Sequence, residues 1–387
     1  MIRLAAMLAL VAGAWAQQTP MDLLKAEAAK ARAVTPDAVV DGIGPIIAPQ
    51  RVAFRDWIES RLPEKGRTLA GEWEPLGADL DAALGAAGLK AVEGEDSTFG
   101  YAGLKTQWFP ELPEVLFVVA NVSIPCGTDD TVYAYRFTPQ GRTRILEDHP
   151  QAKFGYYVSD VRLSEPDAQG HRLLLTTRMS SQCASMWMGL AYDVYRFGAG
   201  LPKQLLAEQH PTYMGEDRLE YALEPERLSV ELTDASVAID IPFSRTQVHI
   251  YDLSGARARH IEPVALQPQD FAEEWMTMPW EEMRTMSDAA TAEFHERLAA
   301  DHLSGEYIGL GTCNGQSGIT VVGLQFDEIG KKSFDPALQV YLRVRDLGGY
   351  HYRMEGVTDF LPDGCNAGDE ASTAHPWLTP AELKALR

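Results

Sequence analysis

The spacing of apolar residues changes along the chain from a helical period to a strand period and back. Before about residue 98 apolar side chains recur every three or four positions, as at Phe54, Ile58 and Leu62, which indicates helices with one apolar face. From about residue 99 the period becomes two, as in strands buried on one face. The helices are predicted at about residues 19–33, 50–62 and 75–89.

The β-rich part repeats one arrangement of strands. An aromatic or aliphatic strand that ends just before a turn occurs at Tyr133–Phe137, Tyr192–Phe197 and Val248–Leu253, which is a period of about 55 residues. Two β-like runs precede each of these strands, and a turn and a further strand follow it. The sequence therefore predicts a mainly β protein of repeated four-stranded antiparallel units, arranged as a propeller or as a stack or sandwich.

One turn of the second unit carries a resemblance. The segment Ser164–Leu175 reads S-E-P-D-A-Q-G-H-R-L-L-L and resembles the S-P-D-G-x-x-L turn of TolB-like and dipeptidyl-peptidase-like β-propellers. The resemblance implies a propeller-type unit. It covers about a dozen residues in one unit, carries insertions, and implies no function. Three units do not close a ring, so a stacked or sandwich-like arrangement is a serious alternative.

Beyond residue 267 helical spacing returns and is followed by more strands. Two interpretations are open for this region: a separate α+β domain, which we favour, or a fourth β unit with a helical insertion. A short capped helix is predicted at 379–387. The predicted organisation is a signal peptide at 1–16, a helical arm and linker at 17–49, a helical cap at 50–98, three β units at 99–266 and the α+β domain at 267–387. The later strands are predicted at Glu306–Gly311, Ile319–Phe326, Leu338–Asp346 and Tyr350–Phe360.

The first residues have the pattern of a secretory signal. Arg3 precedes the apolar run Leu4–Gly13, and Ala14-Trp15-Ala16 matches a small-x-small cleavage site. The apolar run is shorter than the roughly 20 residues that a membrane-spanning helix needs. We therefore expect an exported protein, periplasmic or extracellular, that begins at Gln17 after cleavage.

The charge of the chain narrows the choice of partners. The net charge of −21 at pH 7 argues against nucleic acid or an anionic membrane surface as a partner, because both attract positive surfaces. The main interpretation of the charge is solubility, and a surface for cations or a basic partner is the alternative. A protein or a glycan is a possible ligand. The glycine-rich segment 311–318 lacks the lysine of a phosphate-binding loop, so we expect no cofactor.

The chain has four cysteines, an even number that favours disulfides in an exported protein. No pair has C-x-x-C spacing, and three pairings are possible. We expect Cys126–Cys183 and Cys313–Cys365, because each bridge then stays within one predicted domain.

The first expected disulfide points to a candidate binding patch. Cys126 and Cys183 lie in equivalent loops of neighbouring units, so a bridge would bring Asp129 and Asp130 close to Gln182 and Trp187. Carboxylates beside a large aromatic are typical of a recognition surface. The alternative, which we consider more frequent, is that the aspartates are turn residues and that Trp187 belongs to the core.

His249 and His260 form a weak candidate for a metal-binding pair. If Ser254-Gly255 is a two-residue hairpin loop, these histidines face each other across the hairpin and Asp252 faces Arg257. No third ligand is visible, and two such histidines are more often structural than metal-binding.

No local motif of a catalytic site is present. We therefore expect a non-catalytic binding or scaffold protein of the cell envelope or exterior. The alternative is a secreted hydrolase whose site is built from dispersed residues.

Overall fold

The structure is a computed structural model, and it describes residues 18–35, 42–64, 73–90, 98–149, 155–180, 187–213, 219–235, 244–300, 304–327, 338–366 and 377–386. These ranges form four four-stranded antiparallel sheets and several helices, which confirms the mainly β fold class with repeated four-stranded units. The chain divides into two compact units, Met1–Ser159 with Met179–Ala184 and Asp160–Arg178 with Ser185–Arg387.

In each sheet the strands follow one another in chain order. Sheet A comprises β1 (Ala102–Trp108), β2 (Val115–Ile124), β3 (Gly127–Thr138) and β4 (Gly141–Asp148). Sheet B comprises β5 (Tyr156–Leu163), β6 (Arg172–Ser180), β7 (Trp187–Phe197) and β8 (Lys203–Tyr213). Sheet C comprises β9 (Leu219–Glu224), β10 (Arg227–Ala235), β11 (Ser244–Asp252) and β12 (Arg259–Ile261). Sheet D comprises β13 (Ser304–Cys313), β14 (Gln316–Asp327), β15 (Leu338–Gly348) and β16 (His351–Thr358).

The first hairpin is tighter than the sequence indicates. Residues 126–130 were predicted to form a loop, but Ile124 pairs with Gly127 and β3 begins there. The two-residue turn is Pro125-Cys126, and Cys126 takes a positive φ of 65°. Proline followed by a residue with positive φ is the arrangement of a type II turn. Asp129 and Asp130 therefore lie in a strand, although aspartate is rare in strands.

The hairpin of β11 and β12 has a different register from the predicted one. Asp252 pairs with Arg259, at 2.8 Å between Oδ2 and Nη2, and not with Arg257. The Asp252 carboxylate also accepts hydrogen bonds from the backbone N–H and the hydroxyl of Ser254. Because Ser254 takes part in this local turn, it does not pair in the ladder. The loop between β11 and β12 is therefore longer than two residues.

Three helices of the first unit share one hydrophobic core with sheet A: α1 (Pro20–Arg32), α2 (Gly44–Arg61) and α3 (Trp73–Ala86). Thr19 and Asp22 form the capping box that starts α1. Helix α2 begins at Gly44, within the predicted linker, with Pro45 in its first turn and Pro49 inside it. The Gln50 side chain, fully buried, donates to the Tyr101 carbonyl at 3.1 Å and ties this early part of the helix to the sheet. The prolines of this segment are typical of a linker, but its burial against the sheet makes it part of the helix.

The helices of the second unit are α4 (Pro268–Thr277), α5 (Trp280–Met283), α6 (Ala292–Ala300) and α7 (Pro380–Ala385), with 3-10 turns at Arg284–Met286 and Ala289–Thr291. Phe271 and Trp275 of α4 pack in one core with Val322 and Leu342 of sheet D. Leu383 of α7 packs against sheet C. Sheet D therefore has helices on one face, and it is also a four-strand meander like the other three sheets.

A disulfide joins Cys313 at the end of β13 to Cys365, which follows β16, across 52 residues of sequence. This confirms the second expected cysteine pair and indicates an oxidising, exported location. Cys126 is also disulfide-bonded, and its expected partner Cys183 lies outside the described residues, so that pairing stays a prediction. None of the helices in the described ranges is both long and apolar enough to cross a bilayer.

Candidate functional site

Strand β11 is buried on both faces, and the two faces differ in polarity. Val248 and Ile250 point into the apolar core that includes α7. Because successive side chains of a strand point to opposite faces, the alternate residues lie on the other side. These are Arg245, Gln247, His249 and Tyr251, and all four are buried. Buried polar groups are costly unless they are hydrogen-bonded, so this face needs polar partners.

The partners come from strands and a helix that are distant in sequence. Tyr192 of β7, His210 of β8 and Asp234 of β10 approach from the sheets, and Glu274 approaches from α4. We call this set the polar core. Its members are Tyr192, His210, Asp234, Arg245, Gln247, His249, Tyr251 and Glu274.

Six side chains of the polar core form a closed ring of hydrogen bonds. Around the ring the distances are Asp234 Oδ2 to Gln247 Nε2, 3.1 Å; Gln247 Oε1 to His249 Nε2, 2.7 Å; His249 Nδ1 to Tyr251 Oη, 2.9 Å; Tyr251 Oη to Tyr192 Oη, 3.0 Å; Tyr192 Oη to His210 Nε2, 3.4 Å; and His210 Nδ1 to Asp234 Oδ2, 3.4 Å.

The direction of these bonds follows from donor and acceptor chemistry. Gln247 donates Nε2–H to the Asp234 carboxylate, so its Oε1 accepts from Nε2–H of His249. Burial, assisted by the charges of His260, His210 and Arg245, holds the pKa of His249 well below its ordinary value of 6.5. The neutral ring therefore accepts at Nδ1 from the Tyr251 hydroxyl.

The remaining links join the two tyrosines to His210 and Asp234. The Tyr251 hydroxyl accepts from the Tyr192 hydroxyl. The two ring nitrogens of His210 lie 3.4 Å from Tyr192 Oη and 3.4 Å from Asp234 Oδ2, which closes the ring.

The tyrosines of the ring stay protonated. Burial raises the pKa of Tyr192 and of Tyr251 well above the usual value of 10.0, and nearby carboxylates add to the effect. Both hydroxyls therefore remain hydrogen-bond donors at physiological pH. Tyr192 also stacks on the His210 ring at 5.7 Å between centroids, which fixes the orientation of both side chains.

Helix α4 carries more acidic side chains in this region than the nearby arginine can neutralise. Asp270, Glu273 and Glu274 are all buried, and Arg245 Nη2 lies 3.4 Å from Glu274 Oε2 and 3.5 Å from Asp234 Oδ2. Burial raises the pKa of Glu274, and burial together with the charge of Glu273 raises the pKa of Asp270 well above the usual value. The raised pKa values of Asp270 and Glu274 favour their neutral forms, which limits the repulsion among the acids of the helix.

The polar core reaches the protein surface at two glutamates. Glu208 of β8 is 35% exposed and Glu282 of α5 is 43% exposed, whereas the His260 side chain between the core and Glu282 is 8% exposed. His260 Nδ1 lies 3.3 Å from Glu282 Oε2, and its ring stacks on Tyr251 and on His249 at 4.8 and 4.5 Å between centroids. We call Glu208, His260 and Glu282 the rim.

The rim contains an unusual buried atom. Within the described part of the chain, Nε2 of His260 is buried and has no hydrogen-bond partner. The Glu208 carboxyl is close enough to interact electrostatically with both other members of the rim. Burial raises its pKa, the histidines His210 and His260 oppose the rise, and Glu282 adds to it. The rim thus combines two interacting carboxyls with a buried polar atom that lacks a partner.

The structure brings the predicted histidine pair together, although not by the predicted register. His260 pairs with Tyr251 in the ladder, so His249 is its diagonal neighbour on the same face. No group of three or more histidines, cysteines or acids among the described residues has the geometry to hold a metal ion.

The predicted patch at the first hairpin contains buried aspartates. Asp129 accepts hydrogen bonds from Arg51, at 3.0 Å, and from His149, at 2.8 Å, and Asp130 accepts from the backbone N–H of Val158 at 2.8 Å. Both carboxylates are thereby held inside the first unit. Gln182 and the side chain of Trp187 lie outside the described residues, so the composition of that patch stays a prediction.

Sequence reasoning missed most of the polar core, although two signals for it exist. In β11 the polar residues alternate with Val248 and Ile250. In α4 the acids at 270, 273 and 274 follow helical spacing beside the apolar residues Phe271 and Trp275. Together they indicate a strand and a helix that each have a polar face, but they do not show that the two faces meet.

Comparison with known proteins finds neither a matching protein family nor a significantly similar curated protein.

Proposed function

We propose that the protein is an exported, non-catalytic binding protein of the cell envelope or exterior, periplasmic or extracellular, and that the rim is its ligand site. The observation that carries the proposal is the buried, unpartnered Nε2 of His260 beside two partly exposed carboxyls. A buried polar atom without a partner is costly, so a group that binds it gains affinity.

The arrangement behind the rim supports binding. The ring ties its six side chains to one another, which holds the aromatic rings behind His260 in fixed positions. Rigid supporting side chains lower the entropy that a site loses when a ligand binds. The polar core therefore serves as a rigid support for the rim.

A screen of small molecules by thermal shift tests this function. We expect some compounds to raise the Tm of the wild type and to lose most of that effect in Glu282→Gln. Glu281→Gln is the matched control, because Glu281 is 79% exposed on the same short helix and contacts Arg284 outside the rim. Compounds that stabilise the wild type and Glu282→Gln equally would place binding elsewhere and contradict the proposal.

A secreted hydrolase is the second candidate, and one observation favours it. Burial raises the pKa of Glu208, and the carboxyl of Glu282 is nearby. Two neighbouring carboxyls, one of which has a raised pKa, are the usual acid and base of hydrolytic sites. Hydrolysis of a glycoside, ester or peptide substrate that is lost in both Glu208→Gln and Glu282→Gln would establish this function in place of non-catalytic binding.

A further inference from the structure

Strand β15 presents a row of polar side chains on the face of sheet D opposite to α4. Leu342 and Val344 of this strand belong to the core that includes α4. Because successive side chains of a strand point to opposite faces, the alternate residues point away from that core. We call them the β15 row, and each is exposed or partly exposed: Gln339, Tyr341, Arg343 and Arg345. At about 3.4 Å per residue the row is about 20 Å long.

The two arginines of the row share one carboxylate. Arg345 Nη2 lies 3.1 Å from Glu355 Oε2, and its Nε also donates to this carboxylate. Arg343 Nη2 lies 3.7 Å from the same oxygen and donates to the neutral Gln316 at 2.8 Å from Oε1. One negative charge therefore faces two positive charges.

The neighbouring ion pair does not remove this excess. Arg353 lies opposite Arg345 in the ladder and pairs with Asp288 at 2.9 Å. Among the described residues of this face, three arginines thus meet two carboxylates, although the net charge of the chain is −21. The face is locally positive on a strongly acidic protein, which is a complementary surface for a single anionic group.

The guanidinium of Arg343 can take a further acceptor. Its side chain is 30% exposed. Its Nε is buried, so a ligand would contact the terminal Nη groups. Gly356 lies opposite Arg343 in the ladder, and a Cβ placed there would meet Arg343 Cδ at 3.9 Å. Because glycine has no side chain, β16 leaves space beside this arginine. A planar guanidinium with a free edge matches a carboxylate.

The other residues of the row match a sugar ring. Tyr341 packs against Ile319 and Val321, which fixes the position of its ring. An aromatic ring offers an apolar surface, and its hydroxyl offers a polar end. Beyond it, Gln339 donates to Gln325 at 3.1 Å. Amide side chains both donate and accept hydrogen bonds, as the hydroxyls of a sugar do.

We propose that the β15 row binds a saccharide that carries one carboxylate, a uronic acid residue, with the carboxylate on Arg343 and the sugar ring against Tyr341. The row shares no residue with the rim, so it is a second binding site beyond the proposed function. The negative charge of the whole chain repels densely charged polymers, so the row selects an isolated uronate.

Ligands that differ in one property test this proposal. Methyl glucuronide and methyl glucoside have the same sugar ring and differ in the carboxylate. Acetate has the carboxylate without the ring, and a tripeptide with blocked ends and one central aspartate has the carboxylate on a peptide. Binding is measured by isothermal titration calorimetry on the oxidised full protein at low, constant ionic strength, because salt screens partly exposed charges.

We expect methyl glucuronide to bind and the other three compounds to bind at least about tenfold more weakly. Arg343→Gln should weaken the binding of methyl glucuronide about tenfold, since a charge-assisted hydrogen bond is lost. Arg259→Gln is the matched control and should not change it, because Arg259 is 71% exposed in sheet C and pairs with Asp252.

Two further variants separate binding from stability. Glu355→Gln removes the carboxylate that Arg343 and Arg345 share, so binding should become about two- to fivefold tighter, the range of a surface ion pair. A gain of affinity cannot arise from a damaged fold. Tyr341→Leu keeps an apolar side chain in the cluster and removes the ring, so binding should weaken about threefold or more.

Several results would overturn the proposal. They are the absence of binding by all four compounds, equal binding of methyl glucuronide and methyl glucoside, and unchanged binding in Arg343→Gln. Acetate that binds as tightly as methyl glucuronide would show a site for any small anion, and a tripeptide that binds more tightly would show a site for acidic peptides. Because the two sites share no residue, none of these results affects the function proposed for the rim.

Discussion

At the scale of single residues, the polar core shows how one buried hydrogen bond determines the next. The carboxylate of Asp234 sets the orientation of Gln247, Gln247 sets the tautomer of His249, and His249 sets the direction of the Tyr251 hydroxyl. In such a network the groups do not contribute independently, because each bond depends on the proton position of its neighbour.

The first residue-scale prediction concerns the two tyrosines. Tyr251→Phe removes the donor to Nδ1 of His249 and leaves a buried acceptor unsatisfied, so we expect the free energy of unfolding to fall by about 1–3 kcal/mol. In the Tyr192→Phe/Tyr251→Phe double variant the two losses should differ from additivity by about 0.5–3 kcal/mol. Denaturant titration of the four proteins of this cycle measures both quantities.

Tyr157→Phe is the control for that cycle, since this tyrosine is 38% exposed. Its effect should stay within about 0.5 kcal/mol, as for other surface substitutions. Strict additivity of Tyr192→Phe and Tyr251→Phe would show that the two hydroxyls do not act in one network.

The second residue-scale prediction concerns pH. The pKa of His249 is held below 6.5 in the folded protein, so below pH 6.5 the unfolded chain binds a proton that the folded one does not. Stability from His249 is therefore fully present above pH 6.5 and is lost as the pH falls toward the folded pKa. We expect His249→Gln to reduce the acid-side slope of the free energy of unfolding by up to about 1.4 kcal/mol per pH unit.

Glu274 acts in the opposite direction and provides the comparison. Burial raises its pKa above 4.5, so the stability it contributes is present below pH 4.5 and is lost as the pH rises through the folded value. Glu274→Gln should therefore gain stability relative to the wild type as the pH rises. Urea unfolding at several pH values tests the direction of both effects. If the free energy of unfolding of His249→Gln depends on pH as steeply as that of the wild type, the assignment of a neutral imidazole is wrong.

At the scale of elements, α4 connects two sheets of the second unit by two different kinds of contact. Its apolar residues pack in the core of sheet D, and its acidic residues meet the polar face of β11. The indole of Trp275 is completely buried and donates to the Ser287 hydroxyl at 2.7 Å. The position of Glu274 in the polar core therefore depends on the packing of Trp275 one residue later.

The element-scale prediction follows from this contact. Trp275→Ala should lower the free energy of unfolding by about 3–5 kcal/mol, because it creates a large cavity and removes the hydrogen bond to Ser287. Leu201→Ala is the control, since Leu201 is 73% exposed, and should change stability by less than about 0.5 kcal/mol. Chemical denaturation measures both, and a loss below about 1 kcal/mol in Trp275→Ala would contradict the packing described.

At the scale of the whole molecule, the disulfides are the covalent constraint that the oxidising location permits. The Cys313–Cys365 bridge spans 52 residues of sequence and ties β13 to the segment after β16. It restricts the part of the unfolded chain that contains β14, β15 and β16. The bridge therefore affects the folding equilibrium of the chain more than it affects any single contact.

The whole-molecule prediction concerns this bridge. Replacing both cysteines by serine should lower the free energy of unfolding by about 4 kcal/mol, the loop-closure value for a 52-residue separation. Thermal and denaturant unfolding measure the change. Peptide mapping without reductant should recover Cys313 linked to Cys365 and Cys126 linked to Cys183. A Cys126–Cys313 link would contradict the cysteine assignment.

Much of the fold was determined by the sequence alone. The strand predicted at Leu338–Asp346, for example, begins at its observed residue and ends two residues before β15 does, because the alternation of polar and apolar residues reflects burial of one sheet face. The repetition of four strands and the Cys313–Cys365 pair were also evident. These features depend on the spacing of residues along the chain, so they can be predicted from the sequence.

The tertiary structure alone decided the polar core and the rim. Tyr192, His210 and Asp234 are far apart in sequence, and nothing in their local patterns shows that they converge on one face of β11. The closure of the ring and the unpartnered nitrogen of His260 depend on distances of a few ångströms between separate elements. Hydrogen bonding acts over such short distances that only the packing of these elements determines which groups are joined.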